Sequence, residues 1–130
     1  MKKLILTILL TITSTSAMAE WTYLTSSNSE DIYIDKSDIR EKGNMVKMWD
    51  MTDYKSRQIQ TDKDGASFLS TRSLTEYDCL EVKFTTLNIT FFSGNLGEGE
   101  IVFNHQYDKK WADIPPDTIV KRLWKTACNK

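Results

Sequence analysis

FLSTRSLTEYDC, Phe68 to Cys79, followed at once by LEVKFTTLNITFF, Leu80 to Phe92, decides the fold. Both stretches are rich in threonine, aromatic and branched apolar residues and contain no proline, which is strand chemistry. They predict two long strands in succession. In the second, Val82 and Phe84 share one parity, whereas Leu87, Ile89 and Phe91 share the other. The switch falls at Thr85-Thr86 and predicts a bulge or strong bend in a curved sheet.

Working outward, the flanks read as more of the same sheet. Trp21 to Leu24 and Ile32 to Asp35 are short strands separated by the polar turn Thr25 to Ser29. Gly43-Asn44 is a turn signal before a third strand, Met45 to Tyr54. There Val46 and Met48 point one way and Trp49 and Met51 the other, so either both faces are covered or a bulge intervenes. Met45, Met48, Met51 and Trp49 fit a core better than a binding stripe. Lys55 to Gly65 is polar and reads as a long hairpin tip or loop. After Phe92, Ser93 to Gly99 is a glycine-rich turn, and Ile101, Phe103, His105 and Tyr107 line one face of the next strand. The period then changes. Ile119, Leu123 and Ala127 form one helical column and Val120, Trp124 and Cys128 its neighbour, with Asp117 as the expected helix start. The expected class is α+β: an antiparallel meander with a C-terminal helix on one face.

Composition narrows the function classes. A chain of 130 residues and 15.0 kDa has room for one small domain. Seventeen basic against 18 acidic residues give a net charge of −1, so nothing calls for a nucleic-acid partner. Lys2 and Lys3 precede an apolar stretch of nine residues, Leu4 to Ile12, interrupted by Thr7 and Thr11. Ala17-Met18-Ala19 then fits a small-residue cleavage site. The stretch is shorter than the about 20 residues a bilayer span needs. Residues 1–19 are therefore expected to be a signal peptide and 20–130 a single exported domain, periplasmic, at the cell surface or secreted. No cysteine follows the cleavage site, so no lipid anchor is expected.

Export makes the two cysteines, Cys79 and Cys128, an expected disulfide tying the last helix to the middle of the sheet. His105 is the only histidine, too few for a zinc-type ligand set. No nucleophile-elbow pattern accompanies it. Glu76, Asp78 and Glu81 read as solvated strand positions. Gly94, Gly97 and Gly99 lack the lysine and following helix of a phosphate loop. No catalytic residue, metal site or cofactor is expected.

One ordered set of residues carries a resemblance. It runs Tyr33-Ile34-Asp35 with Ser37 and Ile39, Val46 to Trp49, Asp53-Tyr54, then Ser67, Ser70 and Ser73. It continues with Glu76-Tyr77-Asp78-Cys79, Phe91-Phe92-Ser93, Gly99, Trp111 with Ile114 and Pro116, and a helix ending at Cys128. The chain resembles the surface-adhesin protein E-like family of small exported bacterial proteins over nearly all of Trp21 to Lys130. The resemblance implies an antiparallel sheet with a C-terminal helix, the Cys79–Cys128 bridge and no enzymatic activity. It also implies a protein partner, as the family's namesake is a surface lipoprotein that binds host extracellular-matrix and serum proteins. Trp49, Tyr77, Cys79, Trp111, Pro116 and Cys128 match as fold determinants.

The function expected is therefore that of an exported, non-catalytic binding protein. The alternative is a small periplasmic inhibitor or stress-linked envelope protein presenting Ser93 to Gly99 or Lys55 to Gly65. Because the helix covers one sheet face, the uncovered face and its loops are the expected recognition surface, with Tyr54, Phe92 and Tyr107 as candidates for a partner or a homodimer contact.

Overall fold

The computed structural model describes residues 19–61 and 65–130. The expected signal segment up to Met18 and the tip residues Asp62 to Asp64 lie outside the described residues. The strands are β1 (Trp21–Ser26), β2 (Glu30–Asp35), β3 (Arg40–Lys42), β4 (Met45–Gln60), β5 (Ala66–Asp78), β6 (Lys83–Phe92), β7 (Ile101–Gln106) and β8 (Ala112–Asp113), followed by helix α1 (Ile119–Ala127). All pair antiparallel in the order β1-β2-β4-β5-β6-β7; β3 adds to β4 and β8 to β6. The expected α+β architecture is what the chain adopts.

Paired residues on adjacent strands point to the same face, so the register sorts the side chains. Ile32, Ile34, Val46, Met48 and Tyr77 lie buried beneath Leu123, Trp124 and Ala127 of α1, with Ile114 joining them. The helix is fixed there by Trp124 Nε1, which donates to the Asp78 carbonyl at 2.9 Å, and by the Cys79–Cys128 disulfide, with Cα atoms 5.7 Å apart.

Both places of ambiguous parity are resolved. Between the pairs Leu74–Asn88 and Thr75–Thr86 the register shifts, leaving Leu87 as the extra residue of a bulge. This returns Phe84 to the helix-side face shared by Ile89 and Phe91. In β4, by contrast, pairing with β5 runs unbroken from Met45 to Asp53, and the break comes only before Gln58. Both faces are covered instead. Met51 is buried on the face away from the helix, beneath the turn after β6. Gly97 in that turn has φ +71°, a conformation that favours glycine, and it lies against the flexible end of the Met51 side chain, with a Cβ position 2.8 Å from Met51 Cε.

Several expectations are corrected. The Lys55 to Gly65 segment is not a loop throughout, since β4 continues to Gln60. Asp117 does not start the helix. It has φ +58°, and the N-cap is Thr118, whose side chain accepts from the Lys121 amide at 3.2 Å. Glu76 and Asp78 are buried rather than solvated: Glu76 pairs with Lys109 at 2.9 Å and Lys47 at 3.8 Å, and Asp78 caps the turn amides of Leu80 and Glu81. Trp111, matched as a fold determinant, lies on the surface at 36% exposure.

Candidate binding surface

Beyond the end of the helix, the helix-side face continues as a row of rings. Tyr54 from β4 meets Phe68 from β5 at 5.7 Å, Phe68 meets Phe91 from β6 at 4.7 Å, and Phe91 meets Phe103 from β7 at 5.6 Å. Along β7 the row turns through His105, 6.0 Å from Phe103, to Tyr107, 4.4 Å from His105. Each spacing is that of favourable aromatic contact, and together they tie four strands laterally. Phe68 and Phe91 are buried, whereas Tyr107 is 47% exposed at the end of the row. Ile101, expected on the same face, instead pairs with Phe92 on the opposite face, because Val102 is the extra residue of a bulge in β7. β7 is the last strand in the sheet order, and an edge strand of this kind presents main-chain donors and acceptors to whatever lies alongside.

The three candidate residues part company here. Tyr54 and Tyr107 occupy the two ends of the ring row. Tyr54 is half-buried; burial, and then the charge of Glu30, raise its phenol, against a hydrogen bond from Thr71. Phe92 pairs with Ser70 on the opposite face and is 6% exposed, beneath Arg72. The turn of residues 93–100 does not project. Ser70 Oγ donates to the Gly94 carbonyl and accepts from the Gly97 amide, while Asp53 accepts from Asn95 Nδ2 and the Leu96 amide, folding the turn onto the sheet.

The residue that sequence reading passes over is Asp50. It lines a 160 Å³ cavity under α1 with Ser73, Thr75, Tyr77 and Leu123, and burial raises its carboxyl to about 7, against a Thr75 hydrogen bond that lowers it. A value near neutrality suits proton transfer, but the cavity is well below the about 300–1,000 Å³ of an ordinary ligand pocket. Its only advance signal is an acid at an inward-facing position of a strand whose neighbours are apolar. Among the described residues, no group of three or more His, Cys, Asp or Glu is placed to hold a metal ion, and no helix is long and apolar enough to cross a membrane.

A family model described as "Surface-adhesin protein E" matches residues 21–129. No curated protein matches the chain in sequence. The fold is similar to crystallographically described protein E of Haemophilus influenzae, with a TM-score of 0.64 and 16% identity over 88% of each chain. A second crystal form of that protein gives 0.63 and 15%, over 87% of this chain and 97% of the other. Protein E from non-typeable H. influenzae gives 0.58 and 16%, over 82% and 72%. At these identities the structural likeness is one of fold.

Proposed function

We propose an exported, non-catalytic protein-binding role for this chain, which belongs to the surface-adhesin protein E family. Its partner is a host extracellular-matrix or serum protein. The observation that carries the reading is the ring row that runs from Tyr54 and opens at the β7 edge with Tyr107 exposed. Aromatic anchors beside an open strand combine two sources of protein-binding energy, ring burial and main-chain pairing. The same edge serves a homodimer.

Export follows cleavage between Ala19 and Glu20, without a lipid anchor, to the periplasm, surface or medium. In support, the Glu20 amide lies 3.2 Å from Asp35 Oδ1, a carboxylate already held by Ser37. Cleavage there turns that amide into an ammonium seated on a buried acid, a stronger charge-assisted bond. Of the two segments the inhibitor alternative would present, Ser93 to Gly99 folds onto the sheet instead of projecting.

The test uses exported protein whose intact mass begins at Glu20. It is titrated over immobilised matrix proteins and serum proteins, with lysozyme as a separate bait. Saturable binding to a matrix or serum protein is expected. Binding to lysozyme alone, or to none, refutes the reading.

A further inference from the structure

On the face away from the helix, a groove of 530 Å³ opens between β1, β3, β4 and β5, lined by Trp21, Asp35, Asp38, Arg40, Trp49 and Arg72 among others. We infer that this groove binds a carboxylate carried next to an aromatic or branched apolar group, with Arg72 as the anion-binding residue and the two tryptophans as the apolar walls.

The argument begins with charge. Of the four ionised groups in the groove, three are already answered. Asp38 takes the Arg40 guanidinium at 2.8 Å, and Asp35 accepts from Ser37 and from the Glu20 amide. Arg72 has no carboxylate or hydrogen-bond acceptor among the described residues, and its Nε is buried without a partner. Its guanidinium carbon sits 5.1 Å from the Trp49 ring and 5.6 Å from the Phe92 ring. Those two rings remove water from the cation's faces and fix its plane, so its remaining N–H edge is preorganised. A partly desolvated cation gains more from an anion than a fully hydrated one does. A planar guanidinium matches a carboxylate through paired N–H donors.

The walls set the rest of the ligand. Trp21 and Trp49 are both half-buried and line the groove with Arg72, so a ring or branched side chain next to the carboxylate finds apolar surface. The volume lies in the range that holds small ligands. Such chemistry occurs in a free acid and at the carboxyl end of a peptide chain.

The inference is tested on the exported protein by following its tryptophan indole N–H signals by NMR. The titrants are N-acetylphenylalanine, a hexapeptide ending in phenylalanine, and the carboxamide of each. Saturable shifts of Trp21 and Trp49, with Trp111 and Trp124 still, are expected for at least one acid, with affinity at least tenfold weaker for its amide. The tighter acid identifies the source. Arg72→Gln, checked for a native spectrum, is expected to lose binding tenfold or more, with Arg72→Lys intermediate. Because Arg72 is packed against two rings its variants can misfold, and then the acid-versus-amide comparison on the unaltered protein decides. No saturation by either acid, or equal binding of acid and amide, overturns the inference. So does unchanged affinity in a folded Arg72→Gln protein.

Discussion

Asp50 is the residue whose chemistry folding alters most. Burial raises its carboxyl to about 7, from 3.8 in an open chain. Nearby Tyr77 is fully buried, and burial and then the Asp50 charge hold its phenol well above 10. Between pH 4 and 7 the folded chain therefore keeps a proton that the unfolded chain has released. Stability from this group is complete below the unfolded value and is lost as pH rises through the folded one. Three pH units correspond to on the order of 4 kcal/mol. Asp50→Asn keeps the shape and removes the titration. Urea midpoints for the natural chain are expected to fall from pH 5 to pH 8. Those of Asp50→Asn should stay level and exceed the natural chain at pH 8. Parallel profiles would clear Asp50 of the effect.

At the scale of elements, α1 is the part most in need of tertiary help, since nine residues do not make a stable helix alone. The disulfide closes a loop with a sequence separation of 49, worth about 4 kcal/mol in the chain-entropy model. Reduced protein is expected to unfold at clearly lower denaturant. Thr118→Ala should cost about 1 kcal/mol through loss of the cap. Asp117→Gly should be neutral or stabilising, because glycine accepts the positive φ. Equal costs at the two positions would return the cap to Asp117.

The helical columns were legible because one side of α1 meets a core. The start was not, because Asp117 and Thr118 are both good caps and the path from Pro115-Pro116 chooses between them. Arg40-Glu41-Lys42 gives no strand signal, since β3 is an exposed ribbon held to β4 by its backbone. Lys55 to Gln60 looks like a loop because little covers it, with Ile59 66% exposed. Glu76 looks solvated because Lys109, which neutralises it, lies 33 residues away.

Across the whole molecule, one sheet carries two unlike faces, and the candidate residues divide between them. The β7 end of the ring row was readable from the parity of Phe103, His105 and Tyr107. Its joining to Tyr54 was not, since that depends on register across four strands and on the Leu87 bulge. Tyr107 projects at the edge, so Tyr107→Ser removes an anchor while disturbing little packing. Phe92 lies beneath Arg72 on the other face, so Phe92→Ser leaves a cavity and a stranded hydroxyl, costing about 2–5 kcal/mol. Tyr54 is intermediate, packed edge-on to Phe68 yet reachable at the row's far end. Thermal unfolding and binding to the matrix or serum partner, measured side by side, should separate the three. Tyr107→Ser is expected to weaken binding at least fivefold with the melting temperature within a few degrees of the natural chain. Phe92→Ser is expected to melt far lower, with binding of the remaining folded fraction unchanged. Tyr54→Ser should show a part of each effect. If Tyr107→Ser binds as tightly as the natural chain, the recognition surface is not the open end of the ring row.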